Sequence, residues 1–499
     1  MASKRKQQIF LNQQDQPDVA LTTGNVIGAA TGKYYAVDPK MKFGVATLQR
    51  PVSRGTLTPT QGITGLRTAD FNFGIEIMGG TGSIGGLSPL DLPFRMSGLR
   101  REACQKIYID AVASGHFIHG EKVSIGGVAN SGIVVGNVYN GHAAMYIAQA
   151  NGLSAAATVA ADGDAIVGAT SGASTTADGS GTANGALGYW PVTTPIIRLT
   201  IGTLADALAV GDVLRGVTSG AIGIVTAAAS TGSNVFVYIT SAGGTWSTSE
   251  VVARITPNAD ANVGSTTAVL QLHAPNCGGA LTNDGVYEVA SHLRSNVAMR
   301  FATGELPLAT FSAKGAYYSV EDGGNISGIS YPTVIPAAFL AAAFRIGASD
   351  AAALSEFTDP CIGTIDFDLG NELSQRLCAN SDSGVLGFEI TARNPRLTID
   401  PELRPEAFFP IMGKFLGNLN VCVEWVAQPV LKSSRSGRTF RFQVPNASVQ
   451  DSDTGDRSNV LNRQLQLQPN TGSSTGASVE HDNDIIIVHD FAVNSTTGL

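Results

Sequence analysis

Charge is what this sequence has least of. Asp, Glu, Lys and Arg make up 14% of its 499 residues, against about 25% in an ordinary soluble domain. With 43% hydrophobic residues there is material for sizeable cores, and the combination excludes a disordered polyelectrolyte. The net charge is −8, and the one basic run, Lys4-Arg5-Lys6, reads as a solvated end. Proteins that grip duplex nucleic acid carry a basic face, so DNA would have to slide past this one. Cysteine is sparse as well. Cys104, Cys277, Cys361, Cys378 and Cys422 are scattered with no C-x-x-C pair, which fits a reducing compartment better than a disulfide scaffold. No apolar run approaches the ~18 residues of a membrane span; the longest, Ala337–Phe344, is Ala-rich and lies between Pro336 and Arg345. The segment Gln7–Gln14 after the basic start lacks a signal-peptide core, so synthesis in a cytoplasm is expected.

Catalytic patterns are missing too. There is no G-x-S-x-G, no H-E-x-x-H and no P-loop. Gly80-Thr-Gly82-Ser-Ile-Gly85 has the spacing of a dinucleotide loop. The Pro-interrupted stretch after it cannot open a long helix on the last Gly, so it reads as a glycine-rich loop. His116 and His119, with His142 downstream, have no Cys or carboxylate cluster to complete a metal site and read as turn or surface residues. Asp451-Ser-Asp453-Thr-Gly-Asp456 lacks the closing Glu of a calcium loop and reads as a hairpin tip. A glycan hydrolase would need two carboxylates facing across a cleft, and no spacing selects a pair. The expectation is a non-enzyme without catalytic, cofactor or metal residues.

What is present is a pattern used twice. Phe71–Ile77 alternates apolar and polar residues; after a Gly/Pro-rich break, a short helix near Pro89 carries Leu92, Met96 and Leu99. Leu386–Ile390 alternates likewise; the break Arg393-Asn-Pro395 follows, then a helix from about Pro405 carrying Phe408, Phe409, Met412 and Phe415. Both helices have the three-to-four-residue spacing of a packing face. Further period-2 segments, at 297–301, 307–313, 365–369, 419–425, 440–444 and 465–467, mark strands with one buried and one polar face. Between about 113 and 270 Gly, Ala, Ser, Thr and Val dominate. There Gly163-Asp-Ala-Ile-Val-Gly-Ala-Thr-Ser-Gly-Ala returns as Gly211-Asp-Val-Leu-Arg-Gly-Val-Thr-Ser-Gly-Ala, and Gly115–Glu121 is echoed by Gly244–Glu250. Short strands joined by tight turns are expected, making a small β module that is repeated.

The fold class expected is therefore mainly β, divided as follows. Residues 1–33 form an arm that orders on a neighbouring subunit. Residues 34–112 with 271–320 form a first, discontinuous domain, and 113–270 an inserted, outward-facing β module. A linker follows at 321–359, then a second domain at 360–492 and a tail at 493–499.

Read in order, Ser88-Pro89, the helix ending Ser97-Gly98-Leu99, Phe367-Asp-Leu-Gly-Asn371 and Arg393-Asn-Pro-Arg-Leu-Thr-Ile-Asp-Pro401 resemble the major tail tube proteins of long-tailed (siphovirus-type) bacteriophages. The resemblance covers roughly 34–112 and 271–492. It implies two tandem β-sandwich or barrel-wall domains, each with a flanking helix and four strands in a continuous barrel. It also implies stacked rings in the virion tail, contacts with tape measure, tail terminator and distal tail proteins, and passage of genomic DNA without specific binding. Two units per chain imply a homotrimeric ring, the alternative being a homohexamer. An acidic-to-neutral lumen would repel phosphates; Glu76, Asp366, Asp368 and Glu424, on the polar sides of alternating strands, are the candidate lining, the alternative for each being that it points outward or pairs with Arg. The alternative function is another virion protein, a host-binding fibre or a capsid decoration protein.

Overall fold

The computed structural model describes residues 7–14, 22–28, 32, 34–49, 62–77, 89–113, 115–148, 160–179, 182–191, 196–209, 212–225, 229–243, 246–255, 260–271, 276–283, 285–329, 331, 338–340, 342–405, 411–427, 440–457, 459–470 and 484–490. The protein is mainly β. The first stretch contains β1 (Gln7–Gln14), α1 (Thr23–Val26), β2 (Ala36–Leu48), β3 (Ile63–Glu76), α2 (Asp91–Met96) and β4 (Leu99–Tyr108). Next come β5 (Lys122–Ile125), β6 (Val128–Val134), β7 (Ala144–Ala148), β8 (Ala165–Gly168), β9 (Ser174–Thr176) and β10 (Thr182–Pro191). They are followed by β11 (Ile196–Leu204), β12 (Val213–Gly216), β13 (Ile222–Val225), β14 (Gly232–Gly243), β15 (Val251–Ile255) and β16 (Asp260–Gln271). β17 (Asn276–Asn283), β18 (Gly285–Ala302), β19 (Leu308–Gly323) and β20 (Ala343–Ala348) lead into β21 (Ile362–Asp368), β22 (Asn371–Leu377), β23 (Val385–Arg393) and β24 (Arg396–Pro401). The last elements are α3 (Ile411–Leu416), β25 (Val421–Ala427), β26 (Phe440–Arg457), β27 (Val460–Pro469) and β28 (Ile486–Asp490).

Eight strands make one antiparallel sheet in the order β2-β3-β19-β18-β21-β24-β27-β26. Each half of the chain supplies four, and in each half they stand first, second, fourth, third. A short helix follows the second strand in both: α2 after β3, α3 after β24. Alternation decides the two faces. Ala69, Phe71, Phe73 and Ile75 of β3 are buried, while Thr68, Asp70, Asn72 and Glu76 turn the other way. The buried side joins one core that runs through both halves, from Phe73 and Phe311 to Phe367, Phe442 and Trp425, where Trp425 stacks on Phe442 at 4.2 Å.

α2 covers this core with Phe94, whose ring sits 5.3 Å from Tyr189 and 6.0 Å from Phe311. Met96 is buried and Leu92 partly so, whereas Leu99, expected on the helix, already belongs to β4. In α3, Ile411 is buried and Met412 and Phe415 are partly buried; Phe408 and Phe409 lie outside the described residues. The expected second-copy strand, 386–390, lies in β23. That strand pairs with β22 as a separate hairpin, and the counterpart of β3 before the helix is β24.

Three other expectations are corrected. Residues 7–14 are not an arm ordered on a neighbour: β1 pairs along its length with β17 of the same chain, because Ile9 and Leu11 enter the main core and Phe10 a second one. The stretch 321–359 is not only a linker, since β20 within it pairs with β25. The stretch 113–270, expected as an inserted β module built from a repeated small unit, divides into two units, and the first of them draws in residues from 107 onward. Residues 196–271 form a closed barrel, β11-β14-β13-β12-β15-β16, with its own core around Leu199, Leu214, Val237 and Trp246. Residues 107–177 gather a different core around Ile107, Phe117, Val123 and Ile166. Between the two, β10 returns to the main sheet and is paired on one edge with β4 and on the other with β28.

Candidate assembly surface

The exposed face of the eight-stranded sheet carries its polar residues in rows set by register. Lys42, Asp70 and Lys314 stand opposite one another across β2, β3 and β19. Arg300 and Asp366 do so across β18 and β21, at 4.0 Å, and Asp366 in turn faces Thr398. Asp451 and Asp453 oppose Gln466 and Gln464 at the far end. Of the expected lining residues, Glu76 is half-buried at the end of β3 opposite Leu308. Asp366 and Asp368 share this polar face, Asp368 opposite Ala298. The Asp451–Asp456 segment is the end of β26 that runs into the β26–β27 hairpin turn, where Asp456 accepts from the Asn459 amide at 2.8 Å.

Where the halves join, Ala298–Ala302 of β18 pairs with Thr364–Asp368 of β21. This seam is pinned by the residues that the sequence singled out. Asp368 accepts hydrogen bonds from Asn296 Nδ2 (2.7 Å) and the Gly370 amide (2.9 Å). Asn371 Nδ2 donates to the Ser97 carbonyl (2.7 Å) and the Ser295 carbonyl (3.0 Å), and its Oδ1 accepts from Arg393 Nε (3.2 Å). Arg393 Nη2 also reaches the Gly98 carbonyl at 3.3 Å. Gly370 has φ +65°, and a side chain there would meet the Asn394 backbone, so the tight turn into Asn371 requires glycine. Ser97-Gly98, Phe367–Asn371 and Arg393, far apart in sequence, form one joint.

Two edges of this sheet are open among the described residues. β2 is paired only with β3, and the 448–457 half of β26 only with β27. β18 and β26 are both 18 residues long and are treated alike along their first halves, which β17 and β25 cover on the outer edge. On β18 the second half of that edge is occupied by β21; on β26 it is vacant. Val45 and Leu48 of β2 are 54% and 60% exposed. An edge of this kind is a template for another strand.

Glu424 departs from its expected place. It is 2% exposed and cannot line a channel. β25 is covered on both sides, so Val421 through Trp425 are all buried. The 137–142 segment supplies the second cover. Arg441 Nη2 (2.6 Å) and Gln443 Nε2 (2.9 Å) donate to Glu424 Oε2, and both also donate to the Asn137 carbonyl. His142 Nδ1 accepts from the Tyr139 amide at 3.0 Å, so Nε2 carries the proton and donates to Glu424 Oε1 at 3.0 Å. Burial pushes the Glu424 carboxyl up, but Arg441 and His142 together hold it well below the ordinary range. Burial drives the His142 imidazole down despite that carboxylate, and it is neutral. These groups are buried and paired with one another, and the arrangement clamps the 137–142 segment to β25 and β26.

His119, expected at a turn or surface, does lie in a turn, but the turn is buried: the ring is fully covered, accepts from the Gly136 amide at 3.0 Å and packs edge-on to Trp190 at 5.1 Å. Burial, with Arg100 nearby, lowers its pKa to about 3. Sequence spacing gave no sign of it, because its cover comes from β10. Among the described residues no group of three or more His, Cys, Asp or Glu is placed to hold a metal ion, and no helix is long and apolar enough to cross a membrane. No protein-family model matches the chain, and no curated protein matches it in sequence.

Proposed function

We propose that this chain is a structural virion protein that closes into rings by joining β26 of one copy to β2 of the next, the rings stacking into a phage tail tube. The observation that carries this reading is the internal seam. β18 accepts β21 at the position that is vacant on β26, and β2 opens its half of the sheet as β21 opens the other. One chain thus contains two successive wall segments and the joint between them. A second copy reproduces that joint, and ring closure satisfies both open edges of the eight-stranded sheet.

Three copies, each with eight strands, make a wall of twenty-four. At a strand spacing of about 4.8 Å and a tilt of about 40°, its diameter is roughly 50 Å between backbones, wide enough for duplex DNA to pass. The polar face lines the lumen. Its mixture of Asp366, Asp368, Asp451 and Asp453 with Lys42, Lys314 and Arg300 offers DNA no continuous basic track. The apolar face, with α2 and α3, lies outside.

The test is electron microscopy of the purified protein, alone and as Val45→Lys with Leu48→Lys. Hollow tubes whose cross-section shows three copies per ring are expected from the unaltered chain, and dispersed single copies from the variant. A monodisperse monomer at high concentration, or a ring of six chains, would refute this assembly.

A further inference from the structure

The two small modules share more than a repeated turn. Take β4 with its continuation at 109–113, then β5, β6, β7, β8 and β9, and set against them β14, β15, β16, β11, β12 and β13. Every pairing of one set is found in the other. β4–β7 corresponds to β14–β11, β7–β6 to β11–β16, β6–β5 to β16–β15, β5–β8 to β15–β12 and β8–β9 to β12–β13. The last contact, β13–β14 in the barrel, is matched by the bridges Ile109–Ala177 and Ala113–Ser174.

Register agrees residue by residue. Val123, Ser124 and Ile125 face Gly168, Val167 and Ile166, just as Val252, Ala253 and Arg254 face Gly216, Arg215 and Leu214. A buried glutamate clasps the same turn in each. Glu121 accepts from the Ile118 amide (2.7 Å), the Ser171 amide (3.0 Å) and the Ser171 hydroxyl (2.9 Å). Glu250 accepts from the Ser247 amide (2.6 Å), the Ser219 amide (3.0 Å) and the Ser219 hydroxyl (3.0 Å). A side chain on Gly168 or Gly216 would strike that carboxylate and that serine. One on Gly132 would strike Ile147, and one on Gly264 would strike its counterpart Ile201. Inside, Phe117 and Trp246 take the same place.

The order along the chain differs. In the first module the strand after the glutamate precedes the clasped turn; in the second it follows. We propose that the two are one six-stranded barrel, and that the second is a circular permutation of the first. Geometry permits the cut and the join, because Ile197 and Gln271, at the ends of the second barrel, are paired neighbours. The first barrel docks on the body through Cys104, Tyr146 and Ala148, against Trp190, Ile486 and Val488. The corresponding positions of the second are Asn234, Thr200 and Gly202, so the second is a copy whose docking face has become polar and open. This inference is independent of the tube reading.

The test reorders the second barrel within the full chain, placing 229–271 before 196–225 with a short Gly/Ser link from 271 to 196. The barrel then has the strand order of the first. Amide exchange should show strands 196–271 protected as in the parent, with Trp246 shielded. Loss of protection there, in a chain whose 285–320 region remains protected, overturns the proposal. A second comparison avoids any rearrangement: Glu121→Ala and Glu250→Ala should each speed exchange at its own clasped turn, 169–173 or 217–221, by roughly tenfold or more. A fall confined to one of the two turns refutes the equivalence.

Discussion

Lowering the pH from 7 to 5 should destabilise the protein through His119, and the size of the effect follows from its surroundings. The side chain is fully buried, its Nδ1 is committed to the Gly136 amide and Arg100 is close. Its pKa is lowered to about 3, against about 6.5 in an unfolded chain. A base whose folded pKa is the lower one is protonated first in the unfolded state. Stability is therefore whole above about pH 6.5 and declines as the pH falls toward 3. At about 1.4 kcal/mol per pH unit, acidification to pH 5 costs about 2 kcal/mol. His142 acts in the same direction. Glu424 does not contribute in this window: its folded pKa is depressed, so its contribution is lost only below the unfolded carboxylate value of about 4.3. Urea unfolding at pH 7 and pH 5, followed by tryptophan fluorescence, reports the change, since Trp190 lies against His119. His119→Asn keeps an acceptor for the Gly136 amide without a titratable ring, and should remove about 2 kcal/mol of the pH dependence. An equal slope in the variant and the parent would refute the reasoning.

Three further outcomes are expected. Glu424→Ala strands the buried Arg441 guanidinium, and chemical denaturation should show a loss of about 3–5 kcal/mol. Asn371→Ala removes three hydrogen bonds at the seam. At roughly 0.5–1.5 kcal/mol each, it should cost about 2–4 kcal/mol, with faster amide exchange first at 298–302 and 364–368. Phe94→Ala empties a core position that touches two aromatic rings, and its thermal unfolding should report about 3–5 kcal/mol lost.

How legible these features were in the sequence varied with how local their causes are. Alternation at Phe71–Ile77 and Ile365–Leu369 announced strands with one buried face, because a half-covered sheet imposes period 2 on its own residues. Alternation failed at Glu424, since β25 is covered on both faces and the second cover comes from a segment nearly 300 residues earlier. The Ser97, Asn371 and Arg393 motifs were visible, but not that they meet. Their joint exists only once β18 and β21 pair. The identity of the two barrels was half visible: the Thr-Ser-Gly-Ala turn and the segments ending at Glu121 and Glu250 appeared as separate echoes, because a permuted order breaks any repeat read along the chain.

The position of β10 between β4 and β28 has a consequence in time. Trp190, Cys104 and Val135 share a small core with Ile486 and Val488, so that core is incomplete until nearly 300 further residues have followed β10. At about 5–20 residues per second, synthesis leaves one edge of β10 and the apolar patch around Trp190 uncovered for roughly 15–60 s. Until Ile486–Asp490 emerges, the nascent chain carries an open strand of its own, and a ribosome that stalls earlier releases a product with that strand unsealed.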